Sequence, residues 1–243
     1  MLQAKIYSAF GFLLGDMFGS PFESRSSEEA AKGFGHKVGS YTDDTLMYLS
    51  VMKAFRYDLP LSETLIEFYD GKRGYGSRMD EMLSKKICAP TDSWGNGAAV
   101  RSGALALYET ADLDTVEKYC RTTHTHPDAV RTSLAMFIAV RNALNGNQDL
   151  TECWKIIGTK KPLKSYSMGL ASMESIPPAL IVFEQGRSFE NVLKNAVSLG
   201  GDTDSIGAAA GALAGACFGI PESFAEHISR ERNTADLMKK YLK

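Results

Sequence analysis

Glycines recur at every fourth position in two apolar segments near opposite ends of the chain. The first segment contains Gly11, Gly15 and Gly19, and the second contains Gly207, Gly211, Gly215 and Gly219. In a helix this spacing places the glycines on one stripe, although each interior glycine costs about 1 kcal/mol relative to alanine. A close approach of two helix backbones offsets that cost. The pattern therefore predicts a helical fold around a central pair of helices lined by small residues.

Apolar residues recur with helical spacing along most of the remaining chain. We predict helices over Lys5–Phe18, Asp43–Tyr57, Leu61–Asp70, Arg78–Lys86, Ala98–Glu109, Asp114–Arg121, Pro127–Leu144, Leu150–Ile157, Ser172–Glu184 and Ser188–Leu199, with a last long helix from the second acidic cluster described below. No segment alternates with a period of two between hairpin turns, so no strand is predicted. The 243 residues contain no internal repeat and no long linker. The prediction is a single compact all-α domain over residues 1–243.

Two local signals refine the helix prediction. Asp114 precedes Glu117 by three residues, which is the spacing of a capping box with Asp114 as the helix cap. Pro177 and Pro178 have no backbone N–H to donate, so they are expected to kink or restart the helix that contains them.

The composition is typical of a globular protein, with 44% hydrophobic and 23% charged residues. The formal net charge of -2 provides no basic field, so nucleic-acid binding is not expected. The four cysteines lack zinc-ligand spacing, no apolar run suits a membrane span, and no convincing cleavable signal is present. We expect a cytoplasmic monomer without a membrane partner.

Two acidic clusters stand at opposite ends of the chain, each directly before an apolar helical segment. The first is Thr42-Asp43-Asp44-Thr45, and the second is Gly201-Asp202-Thr203-Asp204-Ser205. Taken alone, the Asp43-Asp44 pair fits a helix cap equally well. Carboxylates brought together lose hydration and repel each other unless cations compensate them. If the fold joins both ends, these oxygen ligands form a site for one or two hard divalent metals.

Three other segments carry polar residues suited to a site. Glu23 follows a helix-breaking Ser-Pro pair, and a solvated loop residue is the alternative. The segment Ser93-Trp94-Gly95-Asn96-Gly97 precedes a helix and offers backbone amides to a ligand oxygen or phosphate; a common Asn-Gly turn is the alternative. In Thr123-His124-Thr125-His126-Pro127, two histidines without further ligands do not make a zinc site, which leaves helix capping or ligand contact.

The assembled motifs resemble those of the ADP-ribosylglycohydrolases, the family of dinitrogenase-reductase-activating glycohydrolase. The motifs, in chain order, are GDMFGSPFE, YTDDTLM, GYGS, SWGNGAAVR, THPDA and GGDTDSIGAAAGALAG. The resemblance covers nearly the whole chain, and the TDDT and GGDTDS pair make it specific. It implies an all-α fold that binds two Mg²⁺ or Mn²⁺ ions beside the distal ribose of ADP-ribose.

Site residues follow from the resemblance position by position. The implied metal ligands are Thr42, Asp43, Asp44, Asp202, Asp204 and Ser205, where members often have threonine at the last position. The implied contacts to substrate are Tyr75, Ser93, Gly95, Asn96, Gly97, Thr125 and His126. Glu23, Asp44 and Asp204 are the expected catalytic residues, with Glu23 as the general base or as the group that orients water.

The function expected from the resemblance is metal-dependent hydrolysis of the glycosidic bond between ADP-ribose and an acceptor. The expected partner is an ADP-ribosylated protein or a small ADP-ribose conjugate, and an arginine acceptor is weakly favoured. One alternative is a non-catalytic ADP-ribose-binding or crystallin-like structural protein, which the clustered aspartates disfavour. Another is a different dinuclear hydrolase, such as a nucleotide phosphoesterase.

Overall fold

The computed structural model describes residues 1–243, and its regular structure is entirely helical apart from four isolated β-bridges. The all-α prediction is confirmed. The fourteen α-helices are α1 Leu2–Gly19, α2 Ser27–Gly33, α3 Asp43–Tyr57, α4 Leu61–Phe68, α5 Ser77–Ser84, α6 Gly97–Ser102, α7 Leu113–Arg121, α8 Pro127–Leu144, α9 Thr151–Ile157, α10 Ser172–Gln185, α11 Phe189–Val197, α12 Thr203–Phe218, α13 Ala225–Arg230 and α14 Arg232–Tyr241. Short 3₁₀ turns cover Ser20–Phe22, Gly103–Leu107, Leu163–Ser165 and Glu222–Phe224.

Helices α1 and α12 form the antiparallel pair at the centre of the core, as the glycine spacing predicts. A Cβ atom at Gly15 would overlap the carbonyl group of Gly207, and one at Gly11 would overlap that of Gly211. Most of α12 is buried around this contact, and α8, α10 and α11 pack against it. The backbones therefore approach more closely than any larger side chain would permit.

This central contact also places the two acidic clusters at one end of the molecule. The C-terminal end of α1 lies beside the start of α12, because Gly19 accepts a 2.8 Å hydrogen bond from the Thr203 hydroxyl. The first turn of α3 is joined to the same end of α1 through Asp16. Residues that are far apart in the sequence thus meet at the ends of three helices.

Two details of the helix prediction are corrected by the structure. The helix predicted over Ala98–Glu109 ends as an α-helix at Ser102, whose hydroxyl group bonds to the carbonyls of Ala99 and Ser133, and it continues only as a 3₁₀ turn. Helix α7 is capped by Asp112 rather than Asp114. The Asp112 carboxylate accepts hydrogen bonds from the amide and the hydroxyl of Thr115 because Asp112 has the extended backbone of a helix cap.

The two prolines lie within one continuous helix. Helix α10 runs without a restart through Pro177 and Pro178. They lie in its second turn, so only the carbonyl groups of Met173 and Glu174 lose their helical donors. Both of these residues are half-buried.

Helices α2, α13 and α14 were not anticipated from the sequence. Helix α2 begins with a complete capping box, in which Ser26 and Glu29 exchange hydrogen bonds. Among all fourteen helices, none combines the length and the apolar character that a membrane span requires.

The close contact between α1 and α12 leads to a stability prediction. We expect Gly15→Ala to lower the free energy of unfolding by about 3 kcal/mol or more, because the added methyl group meets backbone atoms that cannot rotate away. Urea unfolding monitored by circular dichroism measures the change.

Gly76→Ala is the matched control, since Gly76 has a negative φ and nothing lies within 4 Å of its added Cβ. Equal stability losses in the two variants would contradict the packing argument.

Candidate active site

A cleft with a volume of about 410 Å³ opens beside the start of α3, α6 and α12. Its acidic side is lined by Glu23, Asp43, Asp44, Asp202, Asp204 and Ser205. Its other walls include Ser93, Trp94, Gly95, Asn96, Gly97, His124 and Leu170. The structure therefore brings most of the predicted site residues into one cavity.

The first acidic cluster is held in place by Asp16, a fully buried carboxylate on α1. Its two oxygens accept hydrogen bonds of 3.0 and 2.9 Å from the Thr42 amide, and one oxygen also accepts from the amide and hydroxyl of Thr45. The Thr42 hydroxyl group caps α3 by accepting from the Asp44 amide. Asp16 therefore positions the backbone segment that carries Asp43 and Asp44.

Sequence reasoning missed Asp16 as a site residue. The available signal was a single acidic residue within the continuous apolar sequence of α1, directly after Gly15. A carboxylate in such a position requires several donors when it is buried, and the first turn of α3 supplies them.

The second acidic cluster depends on an unusual backbone before α12. Gly200 and Gly201 have φ values of 74° and 73°, a conformation that favours glycine. The Asp202 amide donates to the Met168 carbonyl at 2.8 Å. On its other side, the Asp202 carboxylate accepts a short hydrogen bond from the Asn96 side-chain amide. Asp202 is therefore fixed between two loops.

The two clusters meet through a direct side-chain contact. The Ser205 hydroxyl group donates to Oδ2 of Asp44 at 2.7 Å, across 161 positions of the sequence. Asp204 lies beside them with 6% of its surface exposed, and its Oδ1 atom is buried without a hydrogen-bond partner. A buried carboxylate oxygen in this condition calls for a compensating ligand.

Burial and mutual repulsion raise the pKa values of four acids, Asp16, Asp43, Asp44 and Asp202. Burial followed by the charge of Asp204 raises the pKa of Asp43 to about 8 and that of Asp16 to about 7. The pKa values of Asp44 and Asp202 are raised well above the usual range, again chiefly by burial and then by neighbouring aspartates. Without a cation, the cluster retains protons near neutral pH.

The donor set fits a hard divalent cation. Every side chain on the acidic side of the cleft offers oxygen, and Asp204 presents an unused, buried carboxylate oxygen. No three acidic or histidine side chains already surround a common point as metal ligands. The carboxylates of Asp44 and Asp202 accept hydrogen bonds from Ser205 and Asn96, which hold them at the cleft.

The residues predicted to contact substrate fall into two groups. Ser93, Gly95, Asn96 and Gly97 line the cleft, although the Asn96 side chain is engaged with Asp202. Four other predicted site residues, Thr42, Tyr75, Thr125 and His126, lie outside the cleft lining.

Tyr75, Thr125 and His126, the three of these residues predicted to contact substrate, have local structural contacts. Tyr75 packs on Tyr69 with ring centroids 5.1 Å apart. Thr125 bonds to the Thr91 carbonyl through both its amide and its hydroxyl. His126 caps α8, because its Nδ1 atom accepts from the Asp128 amide at 3.1 Å. Their contact with substrate stays a prediction.

His124 lines the cleft, although its sequence motif did not single it out as a site residue. Its Nδ1 atom lies 2.7 Å from the Thr123 hydroxyl, which in turn accepts from the guanidinium group of the buried Arg101. Burial, followed by the charges of Arg101 and Arg78, lowers the pKa of His124 to about 3. We assign the Thr123 hydroxyl hydrogen to Nδ1, so the neutral ring presents its N–H at Nε2, on the side of Gly95.

The family of this chain is shown by its sequence. The sequence profile of the ADP-ribosylglycohydrolase family matches residues 3–243. The chain belongs to the ADP-ribosylglycohydrolase family, which confirms the resemblance found in the motifs.

Individual relatives and a solved structure agree with this assignment. ADP-ribosyl-[dinitrogen reductase] glycohydrolase of Rhodospirillum rubrum is 28% identical over 253 residues, which cover 87% of this chain and 84% of that protein. ADP-ribosylhydrolase ARH3 of Homo sapiens is 24% identical over 313 residues, covering 88% and 86%. The solved structure of an ADP-ribosylglycohydrolase-related protein complex shares the fold, with a TM-score of 0.77, 21% identity, and coverage of 99% and 97%. The two named relatives are hydrolases, which supports a hydrolase here.

The raised pKa values lead to a prediction about pH and stability in chelator. A carboxyl group whose pKa is higher in the folded state makes the folded protein bind more protons, so stability falls as pH rises through that interval. We expect the free energy of unfolding to fall by about 2 kcal/mol or more between pH 5 and pH 8. Urea unfolding at each pH measures it, and a flat or rising profile would contradict the buried, cation-free cluster.

Asp43→Asn provides the internal comparison, since it removes the carboxylate whose pKa is about 8. The variant should show a shallower decline with pH. Added Mg²⁺ should stabilise the wild type more at pH 8 than at pH 5, because cations then replace protons as the compensating charge.

Proposed function

We propose that this chain is a metal-dependent hydrolase that cleaves the glycosidic bond between ADP-ribose and an acceptor, with an arginine side chain as the favoured acceptor. The observation that carries the proposal is the junction of Ser205 and Asp44 beside the unpaired Oδ1 atom of Asp204. A cluster of buried acids is costly for a purely structural protein. At the wall of an open cleft it suits a cation and a polar substrate.

Two Mg²⁺ or Mn²⁺ ions are the proposed cofactors. The residues that would hold them are Thr42, Asp43, Asp44, Asp202, Asp204 and Ser205. Bound metals of this kind neutralise the carboxylates and favour binding of ribose hydroxyl groups and water. Asp16 has a separate role in the proposal: it fixes the backbone of the first cluster without facing the cleft.

Glu23 is the proposed general base. It lies at the exposed rim of the cleft, where burial of its carboxyl end and the charge of Asp204 raise its pKa. Water attacks the anomeric carbon of the ribose while the bond from that carbon to the acceptor breaks. The bonding electron pair leaves with the acceptor, which takes up a proton, and Glu23 accepts the proton released by the water.

The walls away from the acids suit the nucleotide part of the substrate. Trp94 is 56% exposed and offers a ring face for stacking a purine. The Nε2–H group of His124 is available to donate to a diphosphate oxygen. Because His124 is neutral over the physiological pH range, this contact does not change with pH.

The first experiment measures release of free ADP-ribose from an arginine-ADP-ribosylated protein in Mg²⁺, in Mn²⁺ and in EDTA. We expect metal-dependent release that Asp204→Asn lowers by about a hundredfold or more, since the variant loses one buried anionic ligand. Asp236→Asn on α14 is the matched control, because Asp236 is an exposed aspartate outside the cleft.

Other results of this assay would contradict particular parts of the proposal. Release in EDTA equal to that in Mg²⁺ would contradict metal dependence. Release only from serine-linked or O-acetylated substrates would contradict the arginine acceptor. Binding of ADP-ribose without turnover of any of these would favour the non-catalytic alternative, and phosphate release would favour a phosphoesterase.

Glu23→Gln tests the general base. We expect kcat to fall by about a hundredfold or more with little change in KM, since the amide occupies the same volume and accepts no proton from water. Steady-state kinetics from pH 5 to pH 9 should also show loss of the acidic limb of the profile. An unchanged kcat would exclude Glu23 as the base.

A further inference from the structure

A second cavity of about 820 Å³ adjoins the candidate active site, and its lining contains no acidic side chain. Its four strongly basic residues are Lys37, Lys72, Arg73 and Arg230, and we call this cavity the basic groove. The whole chain has a net charge of -2. The groove is therefore locally positive, although the chain as a whole carries a small negative charge.

Much of the positive charge in the basic groove is available to a ligand. Lys37 and Lys72 take part in none of the ion pairs of the structure, and their side chains form no hydrogen bond. Arg230 pairs with Glu226, but both side chains are more than half exposed. An anionic ligand therefore meets two uncompensated ammonium groups and an exposed guanidinium group whose present partner is weakly held.

The basic groove begins where the acidic side of the cleft ends. Gly74 lines both cavities, and Thr42 lines the groove while its neighbour Asp43 lines the cleft. The two are joined through the backbone, because the Asp43 amide donates to the Arg73 carbonyl at 2.8 Å. If ADP-ribose lies in the cleft with its anomeric carbon at the acids, the acceptor extends from that point toward the groove.

The lining of the groove favours a peptide over a nucleic acid. Proteins that bind single-stranded nucleic acid stack bases on aromatic rings. Tyr41 is the only Phe, Tyr or Trp residue in the lining, and the guanidinium group of Arg73 already covers its ring at 4.0 Å from the centroid. Binding of ionised Asp and Glu side chains requires only positively charged groups, which the lysine and arginine side chains of the groove supply.

We propose that the basic groove binds an acidic peptide segment of the acceptor protein, next to the residue that carries ADP-ribose. This selectivity rests on the proposed function, since it assumes that the acceptor is attached at the acidic end of the cleft. The groove confers a preference for modified residues whose flanking sequence is rich in Asp and Glu.

The test compares two ADP-ribosylated peptides that differ only in their flanking residues, one with Asp and Glu and the other with Ser and Ala. Both carry the linkage that the protein hydrolyses. We expect kcat/KM for the acidic peptide to exceed that for the neutral peptide by about fivefold to tenfold at low salt. The ratio should fall toward one in the K37E/K72E variant and in 0.5 M salt.

K118E/K194E is the matched control, because it makes the same change in net charge at two exposed lysines that lie outside the groove. The ratio within each variant removes general effects on folding or turnover. A preference for acidic flanks that persists in K37E/K72E, or that disappears equally in the control, would overturn the proposal.

A binding experiment separates this proposal from the proposed function. Fluorescence anisotropy with a labelled, unmodified Glu-rich peptide should detect binding to the wild type and to K118E/K194E, and at least fivefold weaker binding to K37E/K72E. This result stands even if no ADP-ribose is released from any substrate. No binding by the wild type, or tighter binding of an oligonucleotide of equal charge through Lys37 and Lys72, would overturn it.

Discussion

The contact of α1 with α12, glycine against glycine, is the constraint on which the rest of the structure depends. With larger side chains the two helices would separate, and the Thr203 hydroxyl would no longer reach the carbonyl of Gly19. That separation would move Asp204 away from Asp16 and from the cluster that Asp16 supports. The glycines lower the helix propensity of both segments, but the close packing that they permit sets the geometry of the acidic site.

The two sides of the candidate site suit ligands of opposite charge. Buried aspartates with raised pKa values form the wall that suits cations, while the neutral ring of His124 and the backbone around Gly95 form a wall that suits anions. Arg101 contributes to the wall that suits anions, because its buried charge lowers the pKa of His124 and its guanidinium group donates to the Thr123 hydroxyl. A substrate with hydroxyl groups at one end and phosphates at the other fits this division.

Periodic and strongly spaced features were predictable from the sequence, whereas features set by tertiary contact were not. The glycine stripes predicted the central helix pair, because close contact between two helix backbones explains their spacing. The two acidic clusters led to the metal-site hypothesis. Asp16 was missed because a single buried carboxylate shows no pattern until its donors are seen. Pro127 predicted the start of α8, and helix capping was one of the two roles expected for the histidine segment, which His126 confirms. The inward position of His124, two residues earlier, depends on its contact with Thr123 and on the contact of Thr123 with Arg101, which sequence spacing does not define.

The pairing of α1 with α12 also governs the order in which the molecule can be assembled. During synthesis α1 emerges well before α12, so its glycine face has no partner until nearly two hundred further residues have been made. Closing so long a loop carries an entropic cost before the contact repays it. The acidic site therefore forms only once the late helix has closed the fold.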